Sequence, residues 1–133
     1  MTHMTAITLG GFDHTNALGD LVVGETVYSY NFSSNSHEDV TIGEVTSSEV
    51  TSFLRIIFDN DNHINCVPSQ QFWIDSAWKN ASDLEVGDVC TTDFAGTSSV
   101  AAIENCNFIT TMFSISSISS NDNVFAEGIL VKI

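Results

Sequence analysis

The run Cys66-Val67-Pro68-Ser69-Gln70 has the outline of a reactive-site loop. A short β-like stretch enters it, Pro68 breaks it, and Phe72-Trp73-Ile74 resumes the apolar pattern. A loop that attacks a carbonyl needs a thiol or hydroxyl, and a group that can carry a proton. Here Val67 and Gln70 stand where a hydroxyl and an imidazole are wanted. Valine offers no hydroxyl, and a glutamine amide does not titrate near neutral pH. Cys66 is the nearest thiol. A reactive cysteine needs a base or a positive charge beside it. None is local, and His63 lies across a turn, so a buried, inert thiol is expected. The same reading applies to Cys90 and Cys106. Three cysteines without a CxxC spacing predict neither a disulfide framework nor a zinc site. His3, His14, His37 and His63 sit in polar, turn-like contexts with no metal-ligand spacing, and are expected at the surface. No cofactor or metal is expected.

The charge balance narrows the partners. Arg55, Lys79 and Lys132 face 17 acidic residues, for a net charge of −14 in 133 residues. Nucleic acid and anionic membrane surfaces both call for clustered Lys and Arg, and both are excluded as partners. The acids are scattered, as on a solvated surface. No apolar run approaches the roughly 18 residues of a membrane helix. The N-terminus does not read as a secretory signal, so the sequons at Asn31 and Asn80 are read as incidental. The length and a hydrophobic fraction of 43% predict one globular domain, residues 1–133.

The elements that must position these residues are strands. Val, Ile, Thr and Phe dominate Ala6–Leu9, Val27–Asn31, Val40–Val45, Thr51–Phe58, His63–Val67, Gln71–Ile74, Val89–Thr92, Val100–Asn105, Phe108–Ser116, Val124–Phe125 and Leu130–Lys132. No window shows helical spacing with good helix formers. The segment from Phe58 to Ile64 predicts a hairpin turn. It lacks the glycine and distal glutamate of a calcium loop. The aromatic residues Phe53, Phe58, Phe72, Trp73, Trp78, Phe108, Phe113 and Phe125 punctuate the strands and are expected in the core, with Trp73 or Trp78 facing solvent.

An internal repeat adds symmetry. DLVVGETV from Asp20 and DLEVGDVC from Asp83 lie 63 residues apart and share four identities. Each reads as a tight turn leading into an extended segment, VYSYN in one case and VCTTDF in the other. A pseudo-twofold all-β fold of short strands and hairpins is expected, with chance likeness of two turns as the alternative.

From about Leu21 to Ile133 these signals resemble the Hint module shared by hedgehog autoprocessing domains and inteins. LVVGETVYSYN is similar to the family's GD-x-V strand entry, with Glu25 for the usual Asp. CVPSQQFWI followed by AWKNASDLEVGD matches Thr-x-x-His, a tryptophan-containing strand and A-x-x-L-x-x-GD. FSISSISSNDNVFAEGILVKI is similar to the closing block, which ends in His-Asn. The resemblance implies that a Cys or Ser opens the domain, that Thr-x-x-His polarises the scissile amide and protonates its nitrogen, and that the last Asn cyclises. At the matching positions this chain has Val67 and Gln70 for Thr and His. It has Ser114 for the acidic or thiol group of the aromatic strand, and Lys132 and Ile133 for His-Asn. Near the front, His3, Met4, Thr5 and Ala6 include neither Cys nor Ser, and almost nothing precedes them to be cleaved. Thr5 is the nearest hydroxyl.

The expectation is a Hint-like domain without catalysis, serving as a structural or interaction module. A bacteriophage neck, baseplate, fibre or decoration protein fits the Ser- and Thr-rich, Lys-poor segments Thr46–Ser52, Gly96–Val100 and Ser114–Asp122. Protein partners or self-association are expected through edge strands. The location would be the virion, or otherwise the cytoplasm. Two alternatives stand beside it. One is an atypical self-processing domain using Thr5 or Cys66. The other is an unrelated β-sandwich adhesion module, which would place Trp73 or Trp78 on a flat exposed face and would lack the pseudo-twofold.

Overall fold

A computed structural model describes residues 1–12, 14–93 and 96–133. The strands are β1 (Ala6–Thr8), β2 (Thr15–Ala17), β3 (Thr26–Asn31), β4 (Ser36–Val50), β5 (Phe53–Phe58), β6 (His63–Cys66) and β7 (Gln71–Ile74). They continue with β8 (Ala77–Asn80), β9 (Val89–Thr91), β10 (Thr97–Cys106), β11 (Thr110–Ile118), β12 (Asn123–Ala126) and β13 (Ile129–Lys132). Short 3-10 turns at Gly10–Phe12, Leu18–Asp20 and Ala81–Asp83 complete the described elements. The all-β expectation holds. Phe94, the end of the second extended segment, lies outside the described residues.

A ten-stranded sheet runs β2-β1-β12-β13-β7-β9-β10-β5-β6, with β8 paired to β7, and a three-stranded sheet runs β11-β4-β3. The longest strand, β4, pairs with β3 over Ser36–Thr41 and with β11 over Ile42–Val50. It is far longer than the Val40–Val45 core that apolar content marks. Paired neighbours hold its Ser, Thr and Glu residues extended, although they bury little there. β2 and β8 carry no periodic apolar signal, and their extended shape comes from the hairpins they close with β1 and β7.

The two halves repeat each other bond for bond. Gly24 N–H donates to Ile42 O and Gly87 N–H to Val100 O, both at 2.8 Å. Ile42 N–H returns to Glu25 O at 2.9 Å, and Val100 N–H to Asp88 O at 2.8 Å. The acid of each turn accepts the N–H three residues back: Val22 to Glu25 at 3.2 Å, and Glu85 to Asp88 at 2.8 Å. Both glycines need the left-handed region, with φ of 92° and 97°. The DL-x-VG repeat is therefore a repeat of structure. The halves also exchange strands. β5 follows β4 in sequence but pairs with β10, and β11 follows β10 but pairs with β4.

One hydrophobic cluster, from Met1 and Ile7 to Ile129 and Val131, is shared by both halves. Asn123, fully buried, ties β12 to β3. Its Oδ1 accepts Tyr30 N–H at 2.8 Å and its Nδ2 donates to Tyr30 O at 2.9 Å, so the side chain pairs like a strand residue. Two aromatic or imidazole expectations change. Phe108 is 55% exposed and meets Phe53 edge-on, and is not core. His37 lies on β4, half-buried and stacked on Tyr28 at 5.0 Å, rather than in a turn.

Candidate functional site

The turn after β6 brings Val67 and Gln70 to one cleft. Gln70 N–H bonds Val67 O at 3.0 Å, closing the turn, and Pro68 directs the chain out of the β6 ladder. Ser114 reaches the cleft from β11, and Lys132 and Ile133 reach it from the end of β13. These five positions, far apart in sequence, line a shallow cavity of about 180 Å³.

Met1 completes the cleft, and sequence counting missed it. Its α-amino group donates to Phe113 O at 2.9 Å and its carbonyl accepts Phe113 N–H at 2.6 Å, so it extends the free edge of β11. Its side chain is 7% exposed, and it joins Gln70, Ser114, Lys132 and Ile133 around a small void continuous with the cleft lining. Burial lowers the pKa of its amino group. The signal that could have found it is the symmetry. Cys66 pairs with Leu54 on β5 as Met1 pairs with Phe113 on β11, and the turn Val67–Gln70 repeats the turn Thr2–Thr5. Thr5 is thereby the counterpart of Gln70 and lines a different groove, with Thr2 and His63.

The chemistry available in the cleft is small. The thioether of Met1 is not a nucleophile of the kind that attacks carbonyls. Gln70 Nε2 donates to Lys132 O at 2.7 Å and to Gln71 O at 3.3 Å. It binds a main-chain carbonyl as a neutral donor and cannot release a proton to a leaving amine. Lys132 spends its ammonium over the Trp78 ring, 5.9 Å from the centroid. Ser114 is exposed. Cys66 is fully buried, and burial pushes its thiol up to about 12. Cys90 is pushed to about 12 for the same reason, with the Asp88 charge adding to it.

The fold and the cleft can now be set beside known structures. No protein-family model matches the chain, and no curated protein matches it in sequence. Solved structures do match. A bacterial intein-like domain from Clostridium thermocellum superposes with a TM-score of 0.86 at 15% identity, covering 99% of this chain and 98% of that one. A DnaB intein from Synechocystis gives 0.86 at 14% identity, over 99% and 96% of the two chains. The gp41-1 intein gives 0.81 at 18% identity, over 99% and 96%. The chain has the intein-like Hint fold. The likeness spans 99% of this chain in each case. The unrelated β-sandwich is set aside. Trp73 and Trp78 support that outcome, because they are half-buried and meet edge-on at 68°, with Phe32 packed 4.4 Å from Trp73, and present no flat platform.

Proposed function

We propose that this intein-like domain is catalytically inactive and serves as a structural or interaction module. The observation that carries the reading is the company kept in the cleft: Met1, Val67, Gln70, Ser114, Lys132 and Ile133, with a buried and protonated Cys66 behind them. Acyl transfer to a side chain needs an activated nucleophile, and the departing amine needs a proton donor. None of these side chains supplies the pair. A β-body this extensively hydrogen-bonded remains a rigid support once the chemistry is lost, and function is then argued from its surfaces. The surface is acidic and hydroxyl-rich, with three basic residues in the whole chain. That composition supports a building block of a bacteriophage particle, such as a neck, baseplate, fibre or decoration protein.

The test is a fusion carrying one folded protein before Met1 and another after Ile133, followed by intact mass with and without an added thiol. The expected result is a fusion that stays whole for days. Cleavage at either junction would overturn the reading and direct mutagenesis to Gln70 and Cys66.

A further inference from the structure

The counterpart of the Val67–Gln70 cleft in the other half is a larger groove, about 610 Å³, and it is not filled by chain. Its floor is the turn Thr2–Thr5. One wall is β6, through His63 and Asn65, and the other is the start of β11, through Thr111 and Phe113. The β6 wall is a strand edge, and the β11 wall is one up to Phe113, where Met1 pairs with it. In the β5–β6 hairpin Phe58 N–H bonds Asn62 O, and bonded pairs alternate along an antiparallel ladder. Ile64 and Cys66 therefore spend their main-chain groups on β5, while those of His63 and Asn65 point into the groove. On β11, Phe113 turns its N–H and C=O to Met1, so those of Thr111 point the same way, away from β4. None of these outward N–H groups has a partner among the described residues.

Side chains complete the groove. His3 is held by Asp20 Oδ1 at 2.8 Å and lies edge-on to Phe113 at 5.4 Å. Its ring packs on Gly19, where an added Cβ would come within 2.4 Å of it, so glycine is what leaves it room. Glu127 closes the far side and accepts Ala6 N–H at 2.9 Å. Lys79 and Lys132 do not line the groove, and Arg55 reaches its wall only by donating Nε–H to Asn65 Oδ1 at 2.9 Å. The unpaired β6 edge, with the open main chain of Thr111 opposite and Thr2 and the exposed Met4 beneath, suits an extended chain, and a net charge of −14 selects a basic one.

We propose that this groove binds an extended, basic peptide segment of a partner protein, added as a strand to the β6 edge at His63 and Asn65. The proposal deepens the interaction-module reading but does not depend on the other cleft being inactive, because a peptide binds or fails to bind whether or not a fusion cleaves.

The experiment selects phage-displayed random dodecapeptides on the intact chain and maps the enriched ones, as synthetic peptides, by amide NMR shifts. The expected result is enrichment of Lys and Arg at alternate positions, with saturable shifts at His63, Asn65 and Thr111. Methylating alternate peptide nitrogens on the bonding edge should weaken binding at least tenfold, while methylating those on the opposite edge should not. That comparison leaves the protein unaltered. Asn65→Pro, once shown to fold, should bind at least tenfold more weakly. No enriched peptide, shifts elsewhere, or equal binding by both methylated forms would overturn the proposal. Concentration-dependent shifts at the same amides without peptide would also overturn it, by making a second copy of the chain the occupant.

Discussion

Thr5 and Gln70 are structural counterparts. Thr5 O accepts Leu18 N–H at 2.8 Å and Gln70 O accepts Ala81 N–H at 2.7 Å, each at the entry to a 3-10 turn. One half of the molecule thus holds the cleft that resembles a processing site, and the other holds an open groove at the equivalent turn. The symmetry pairs Thr5 with Gln70 and Met1 with Cys66, and of Thr5 and Met1 it is Met1 that lines the cleft.

The counterpart turns predict equal costs for one substitution. Gly24 and Gly87 both have positive φ, and an added Cβ at either meets nothing within 4 Å. Gly24→Ala and Gly87→Ala should each destabilise by about 1–2 kcal/mol through backbone strain alone. The two effects should add in the double variant, since the turns share no hydrogen-bond partner. Urea unfolding measures all three, and a single variant at wild-type stability would contradict the argument.

Asn123→Leu should be the most damaging single change outside the apolar core. It removes both bonds to Tyr30 and leaves that residue's N–H and C=O without their partner. The expected loss is about 3 kcal/mol, read as a Tm lower by roughly 10 °C. Gln70→Ala should cost only about 1 kcal/mol, because the bonds lost, to Lys132 O and more weakly to Gln71 O, are neutral ones at a half-exposed site. Its signature is faster amide exchange at Lys132 and Ile133 without global loss.

Thiol labelling separates the cysteines. Cys66 and Cys90 are fully buried, with thiols near 12, whereas Cys106 is partly exposed. A chromogenic disulfide reagent at pH 8 should modify one thiol per chain in the native state, and mass mapping should place it at Cys106. Three thiols should react in denaturant. Rapid native labelling of Cys66 would revive it as a nucleophile.

The Lys79–Asp88 pair, at 2.9 Å, gives stability a pH signature. Burial pushes the Asp88 carboxyl up, but the Lys79 ammonium and the Glu85 N–H outweigh it and hold the group below its ordinary 3.8. Its contribution is complete above 3.8 and is lost as pH falls through the lower folded value. The hydrogen bond to Asp88 raises Lys79 above its ordinary 10.5, so its contribution is complete below 10.5 and is lost as pH rises through the folded value. Lys79→Met should lower stability at neutral pH and flatten both limbs. Asp93 works in the opposite sense. Desolvation raises its pKa, so folding is favoured below 3.8 and that advantage is lost as pH rises through the raised value. Asp93→Asn should therefore be at least as stable as wild type at pH 7 in the same unfolding series.

By itself, the sequence determined the strand-rich composition, the hairpin at Phe58–Ile64, the two glycine turns and the residue types at Val67, Gln70, Ser114, Lys132 and Ile133. These are local properties: β-branched content, positive-φ glycines and turn acids act within a few residues. The three-dimensional structure alone decided what those residues meet. The exchange of β5 and β11 between halves, the double pairing of β4, and the short strands β2 and β8 depend on contacts between segments distant in sequence. No local propensity records such contacts. Met1 shows the same limit. Its neighbours in the chain carry no motif, and only its pairing with Phe113, 112 residues away, brings it to the cleft. The groove between β6 and β11 is likewise invisible in sequence, because an unpaired edge is defined by the strand that is absent beside it.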